Sequence, residues 1–246
     1  MTLERRLPTE GNWLFRWRSF LPLVMVAGAL LALVPLPIPK HDSIPGDLVE
    51  LLGLVISFLG LFGRCLTVGH TPARTSGRNT ATQIADSLNT TGVYSVVRHP
   101  LYVANFLIGL GLAVFTLNAW FVVAYTLTFW LYYERIMLAE EAFLRSRFGT
   151  EFDDWAGSTP PFIPRLSQYT KPSLLFSLKN VLKREYNTVL QIVVVAFILE
   201  VAGDALQSKK LQFSPGWLLF LAVGTSLWII LRMLKRHTRV LHVEGR

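Results

Sequence analysis

The sequence predicts an all-α fold: a polytopic bundle of about six transmembrane helices that includes a tight helical hairpin. Of the 246 residues, 52% are hydrophobic and only 16% are charged, whereas soluble domains carry roughly one quarter charged residues. Six apolar segments are long enough to cross a bilayer singly or as closely paired half-spans. Basic residues are concentrated on one side of these segments. Lipid is therefore expected to be the solvent for most of the chain.

The six predicted spans are separated by connections of very different length. They cover about 19–38, 47–68, 101–115, 118–135, 187–206 and 215–234. The first ends at Pro35, Pro37 and Pro39, which terminate a helix because proline lacks the amide hydrogen. No polar loop separates the third span from the fourth, so these two form the predicted hairpin, which turns near Thr116.

The distribution of basic residues predicts the orientation. If the N-terminus is cytoplasmic, all 24 lysines and arginines except Lys40, Lys209 and Lys210 lie on the cytoplasmic side. This bias predicts an integral membrane protein with both termini cytoplasmic, in a bacterial inner membrane. Each basic residue that faces the anionic leaflet gains about 1 kcal/mol of attraction to it. The net charge of +8 therefore does not require a nucleic-acid partner.

Two stretches, 70–99 and 140–183, are too polar to span and are predicted to be cytoplasmic loops. The first contains Arg74 and Arg78, which could bind an anionic lipid headgroup or simply form a basic loop. The second begins with a short amphipathic helix at about 140–148 and includes an interfacial helix at about 171–184. A water-soluble cofactor would reach the protein from this side.

The end of the first loop combines a glycine, two tyrosines, an arginine, a histidine and a proline at the start of the third span. These residues are Gly92, Tyr94, Arg98, His99, Pro100 and Tyr102. Pro100 suits the first turn of a helix. Arg98 and His99 then precede a helix N-terminus, which favours a bound carboxylate or phosphate. An interfacial anchor of aromatic and basic residues is the alternative interpretation.

A second cluster follows the fourth span and contains Arg135, Glu140 and Glu141. A tight hairpin would place its two acids opposite Arg98 and His99. Adjacent carboxylates at a membrane boundary are costly unless they are paired. An i,i+4 ion pair between Glu141 and Arg145 is the simpler alternative, but it gives Glu140 and Arg135 no role.

The two clusters together resemble a known family. Gly-x-Tyr-x-x-x-Arg-His-Pro-x-Tyr, a hairpin and then Arg-x-x-x-x-Glu-Glu-x-x-Leu is similar to the integral-membrane methyltransferases, which include isoprenylcysteine carboxyl methyltransferases and phospholipid methyltransferases. The resemblance covers about 92–164. It implies a cytoplasmic pocket for S-adenosylmethionine and a lipid or prenylated substrate with a carboxylate, amine or phosphate acceptor.

The resemblance also implies the roles of individual residues. It assigns cofactor binding to Gly92, Tyr94, His99, Pro100, Tyr102, Glu140 and Glu141. It assigns catalysis to Arg98, Arg135 and Glu141. Methyl transfer mainly requires alignment and desolvation of the reactants. No metal is needed, and no Cys/His spacing in the sequence predicts one.

The resemblance divides the chain into three regions: a two-span N-terminal region at 1–90, a methyltransferase core at 91–165 and a C-terminal region at 166–246. The C-terminal region adds an interfacial helix and two spans that the resemblance does not explain. Ala104 stands where the family commonly has glycine. It is still small, so close helix packing is expected there.

Two other functions remain open. Membrane reductases of the sterol-reductase type use NADPH and have a C-terminal part that is similar to this sequence. No dinucleotide-binding signature in the sequence supports that function. A transporter or scaffold could use the same charged residues as a structural network, but no inverted repeat is present.

Three charged residues outside the motifs carry separate expectations. Arg64 could face the candidate site or extend its side chain to the membrane interface, and the second is favoured. Acids within a span indicate a function or an internal partner, but Glu200 and Asp204 lie near the outer end of the fifth predicted span, so a solvated helix end is favoured for them.

Overall fold

The computed structural model describes residues 3–17, 20–33, 44–73, 75 and 84–246. These residues form eight α-helices and no strand. The helices are α1 (Leu3–Trp17), α2 (Leu21–Ala32), α3 (Ile44–Gly69), α4 (Pro100–Phe115), α5 (Ala119–Phe148), α6 (Thr150–Ser158), α7 (Leu178–Ser208) and α8 (Pro215–His237). Single 3₁₀ turns form at Val93–Ser95 and Leu166–Gln168. The predicted all-α fold is confirmed.

Within the part of the chain that the structure describes, three helices are long and apolar enough to cross a bilayer. They are α3 over Gly46–Gly69, α7 and α8. Two further apolar helices, Leu23–Ala32 within α2 and α4, are shorter. Large apolar side chains on α3, such as Leu51, Leu59 and Phe62, face outward, as expected of a helix in contact with lipid. Six spans stay a prediction.

Several predicted boundaries differ from the observed ones. The separate amphipathic helix at 140–148 is the last part of α5, which continues to Phe148 because no helix-breaking residue precedes Gly149 (φ 58°). Only the second half of the predicted interfacial helix at 171–184 is helical, as the first part of α7, which begins after Ser177. The hydroxyl of Ser177 accepts a hydrogen bond from the Asn180 amide at 3.3 Å, a typical helix N-cap.

The N-terminal region also differs from its prediction. Helix α1 was not predicted, because its sequence mixes charged and aromatic residues. The prolines at 35, 37 and 39, and the arginines at 74 and 78, lie outside the described residues.

The predicted hairpin between α4 and α5 is present, and three residues make its turn. Leu117 adopts a positive φ of 55°. The side chain of Asn118 accepts a hydrogen bond from the amide of Phe121 at 3.1 Å and donates one to the carbonyl of Ala32 at 2.9 Å. The turn is therefore capped locally and is also attached to α2.

Small residues allow α3 and α4 to pack closely. A Cβ atom placed on Gly53 would lie 2.6 Å from the carbonyl oxygen of Gly111, and one on Gly60 would lie 2.6 Å from that of Ala104. Close backbone approach of this kind is typical of helix pairs in membranes. The expected tight packing at Ala104 is confirmed.

Candidate functional site

The backbone before α4 is held by the segment that follows α6. The amide of Arg98 donates to the carbonyl of Pro160 at 2.9 Å, and the amide of His99 donates to that of Pro161 at 3.2 Å. The amide of Arg165 donates to the carbonyl of Val96 at 2.9 Å. These bonds fix the positions from which the Arg98 and His99 side chains project.

Gly92 makes the turn at the start of this segment. Its φ is 63°, a conformation that favours glycine. Its amide donates to the carbonyl of Thr170 at 3.1 Å, and a Cβ atom would meet Pro172 Cγ at 3.1 Å. The structure therefore gives Gly92 a backbone role, and its role in cofactor binding stays a prediction.

His99 caps α4 and contacts both acids of the second cluster. Pro100 occupies the first helical turn, as the sequence indicates. The His99 side chain is buried, with Nε2 2.9 Å from Glu141 Oε1 and Nδ1 3.6 Å from Glu140 Oε2. Arg98 Nε lies 3.2 Å from the same Glu141 oxygen. The hairpin thus brings the two motifs together.

The sequence predicts an anion beside the N-terminus of α4. In the structure, the carboxylate of Glu141 lies there, against Arg98 and His99. Arg98 also donates from Nη1 to the carbonyl of Ala156 at 3.0 Å. The alternative pairing of Glu141 with Arg145 is wrong. Glu141 faces Arg98 and His99, and Arg145 Nε donates to Asp153 Oδ1 at 2.7 Å.

The surroundings of His99 favour its charged form. Burial alone would lower the pKa of the imidazole, but the hydrogen bonds that the ring donates to Glu140 and to Glu141 outweigh this effect and raise it. Tyr94 behaves differently. Burial first, and the charge of Glu140 second, raise the pKa of its hydroxyl, while Arg184 and Arg64 oppose this. The Tyr94 hydroxyl therefore stays protonated at neutral pH.

Aromatic rings extend from His99 into the bundle. The His99 ring stacks on Tyr102 at 5.6 Å between centroids, and Tyr102 contacts Tyr133 at 5.0 Å. Tyr133 in turn stacks on Phe129 at 4.1 Å. Tyr133 was missed in the sequence, although Phe129, Tyr133 and Met137 recur every four residues and so share the α5 face that leads to Glu141.

Arg135 lies on a different face of α5. It precedes Glu140 by five residues, which places it roughly 140° away around the helix. Its Nε lies 3.3 Å from Glu10 Oε2 on α1. The hydroxyl of Tyr132 donates to the carbonyl of Leu14 at 2.8 Å. Helix α1 therefore packs beside Arg135, whose catalytic assignment stays a prediction.

Comparison with known proteins identifies a matching family model and several relatives of the chain. The phospholipid methyltransferase family model matches residues 52–151. The nickel-cobalt-cadmium resistance protein NccN of Alcaligenes xylosoxydans xylosoxydans is 34% identical over 164 residues, which is 66% of this chain and 71% of that protein. The cobalt-zinc-cadmium resistance protein CzcN of Cupriavidus metallidurans is 36% identical over 160 residues, 64% of this chain and 68% of that protein.

The protein-S-isoprenylcysteine O-methyltransferase of Tribolium castaneum is 34% identical over 82 residues, 33% of this chain and 29% of that protein. No solved structure matches the chain. Residues 52–151 belong to the integral-membrane methyltransferase family, and the chain belongs to the same family as NccN and CzcN. It is an integral membrane protein, and neither the reductase nor the transporter alternative is favoured.

The two clusters together present side chains of both charge signs. Glu140 and Glu141 can accept hydrogen bonds from an ammonium or hydroxyl group, and His99 and Arg98 can bind a carboxylate. Arg98 Nε is buried without a hydrogen bond of good geometry, although it lies near Glu141. Among the described residues, no group of three or more His, Cys, Asp or Glu side chains could hold a metal ion.

Two expectations about charged residues within the spans are wrong. Arg64 does not extend to the interface, because its guanidinium is buried against Glu185 of α7. Glu200 does not lie at a solvated helix end, because only 7% of it is exposed. The burial of both side chains depends on how α7 packs, which local sequence patterns do not predict.

Proposed function

We propose that the protein transfers the methyl group of S-adenosylmethionine to a membrane-embedded lipid or prenylated acceptor. The observation that carries the proposal is the contact of His99 with Glu140 and Glu141 across the hairpin. The contact joins the two motifs through which the chain resembles its family. The acceptor group would be a carboxylate, an amine or a phosphate.

The residues proposed to hold the cofactor surround His99. Glu140 and Glu141 would accept hydrogen bonds, the His99 imidazolium would donate one, and Tyr94 and Tyr102 would pack against the cofactor. Gly92 and Pro100 would shape the backbone beside it. The cofactor would supply a methyl group already activated by a sulfonium, so the protein would mainly align the reactants and exclude water.

The residues proposed for catalysis are Arg98, Arg135 and Glu141. Arginine remains protonated in proteins and binds carboxylates and phosphates with two parallel hydrogen bonds. Arg98 on the hairpin side of α5, or Arg135 on the side that faces α1, would hold an anionic acceptor with its oxygen oriented for attack. Glu141 would keep Arg98 and His99 in place, since it contacts both.

We propose that the protein lies in a bacterial inner membrane with both termini in the cytoplasm, because nearly all of its basic residues fall on one predicted side. The three proposed regions are 1–90, 91–165 and 166–246. The cofactor would then enter from the cytosol and the acceptor from the lipid.

The direct test is calorimetric binding of S-adenosylhomocysteine to the purified protein in detergent. His99→Ala and Glu140→Ala should abolish micromolar binding. The matched controls, His242→Ala and Glu151→Ala, change exposed residues and should bind like the unmodified protein. No binding by the folded protein would overturn the proposal, and NADPH would be the next ligand to try.

The names of two relatives favour a second, physiological role. NccN and CzcN are named for resistance to nickel, cobalt, zinc or cadmium. We propose that lipid methylation by this protein contributes to metal tolerance. Cells that express the protein should tolerate these cations better than cells that express His99→Ala, and equal growth would contradict this role.

A further inference from the structure

A buried ion pair connects the C-terminal region to the rest of the bundle. Arg64 Nε donates to Glu185 Oε2 at 2.7 Å, and Arg64 Nη2 donates to Glu185 Oε1 at 3.0 Å. The hydroxyl of Thr188 donates to Glu185 Oε2 at 2.8 Å. The side chains of Arg64 and Glu185 are 11% and 2% exposed. Glu185 lies on α7, outside the part of the chain that the family model matches.

The same arginine also holds α4. Arg64 Nη1 donates to Asn105 Oδ1 at 2.6 Å. Asn105 is three residues after Tyr102, so the two lie on the same side of α4 one turn apart. Tyr102 stacks on His99, the residue immediately before the helix. The C-terminal region is thus linked to the candidate site through Arg64 and Asn105.

Further hydrogen bonds hold α7 against the end of α3. Asn180 Nδ2 donates to the carbonyl of Val68 at 2.8 Å, and the amide of Ser177 donates to that of Gly69 at 2.9 Å. These carbonyls belong to the last turn of α3, where intrahelical donors run out. The start of α7 is therefore fixed to α3 independently of the ion pair.

We propose that Glu185 is a positioning residue of the methyltransferase site, which acts through Arg64 and Asn105 to fix where α4 presents His99 and Tyr102 to α5. The inference rests on the proposed function for its catalytic meaning. A two-pronged arginine–carboxylate pair sets both distance and orientation, which suits a positioning role.

Stability alone does not require such a pair. Replacing a buried ion pair with well-packed apolar residues is often neutral or stabilising, whereas removing one partner is costly. The double variant Arg64→Met with Glu185→Leu should therefore keep α3 and α7 packed and release Asn105. A purely structural role and a positioning role predict different behaviour for this variant.

The experiment measures three properties in detergent: the unfolding temperature, the affinity for S-adenosylhomocysteine and the pKa of His99 by NMR. The double variant should unfold near the temperature of the unmodified protein. Its affinity should fall about tenfold, because small misplacements of binding groups are costly. The pKa of His99 should move toward its usual value as the imidazole separates from Glu140 and Glu141.

Two further variants complete the test. Asn105→Leu breaks the link at α4, should show the same two changes, and should add little to the double variant. Glu200→Leu replaces another buried acid of α7 at the opposite end of the helix, and should change neither the affinity nor the pKa of His99.

These measurements distinguish a failure of the positioning role from a failure of the proposed function. An unchanged pKa of His99 in both the double variant and Asn105→Leu would overturn the positioning role, whatever the affinities. An unmodified protein that does not bind S-adenosylhomocysteine would overturn the proposed function. In that case the pKa of His99 would still decide whether Glu185 positions α4.

Discussion

Nε2 of His99 lies 2.9 Å from Oε1 of Glu141, although 42 residues separate them in the chain. Arg98 Nε lies 3.2 Å from the same oxygen. One carboxylate on α5 therefore faces two basic side chains at the start of α4. This arrangement requires the tight hairpin at Leu117, which returns α5 along α4.

The two acids of the cluster should differ in their contribution to stability. Glu141 is 15% exposed and contacts both Arg98 and His99, whereas Glu140 is 33% exposed and lies farther from His99. We expect Glu141→Gln to lower the free energy of unfolding by about 2 kcal/mol. Glu140→Gln should cost less than about 1 kcal/mol. Denaturant unfolding in detergent measures both, and equal losses would contradict the assignment.

Stability should depend on pH through His99. The folded protein raises the pKa of this imidazole, so its stabilising contribution is complete below the unfolded value of about 6.5. That contribution is lost as the pH rises through the raised pKa of the folded state. The unfolding temperature should therefore fall as the pH rises from the unfolded pKa through the folded one. His99→Gln should remove this component, and an identical pH profile in the variant would contradict the prediction.

The ion pair between Arg135 on α5 and Glu10 on α1 leads to one prediction for stability and one for methyl transfer. Their side chains are 29% and 40% exposed, so Glu10→Gln should change stability by less than about 1 kcal/mol. If Arg135 binds the acceptor, Arg135→Ala should lower methyl transfer about a hundredfold. Lysine should not restore it, because it lacks the planar guanidinium.

Transfer can be followed as radioactive methyl incorporation into membrane lipids and N-acetyl-S-farnesylcysteine. Arg145→Ala, which removes an exposed ion pair with Asp153, is the matched control and should leave the rate unchanged. A rate for Arg135→Ala equal to that of this control would argue against a catalytic role.

Gly92 should be sensitive to substitution for a backbone reason. Its φ of 63° is unfavourable for alanine, and the added Cβ would lie 3.1 Å from Pro172 Cγ. We expect Gly92→Ala to destabilise the protein by about 1–2 kcal/mol. Gly157→Ala in α6, where a Cβ would meet nothing within 4 Å, should be neutral or slightly stabilising. Thermal unfolding compares the two, and equal stability would contradict the role of the turn.

Local sequence signals predicted much of the fold and part of the site. Helix starts at Pro100 and Pro215 could be predicted because proline favours the first helical turn. The predicted separate helix at 140–148 is wrong, because the helical hydrogen bonds of α5 continue through these polar residues to Phe148. Tyr133 was missed because its importance depends on the rings it contacts, Tyr102 and Phe129.

The sequence by itself determined the all-α membrane class, the hairpin and the two motifs, since hydropathy and turn residues act over short distances. Only the tertiary structure decided which charges pair. Glu141 pairs with His99 instead of Arg145, and Arg64 pairs with Glu185 instead of extending to the interface. A buried charge needs a partner, and the packing of α5 and α7 determines which partner lies within reach.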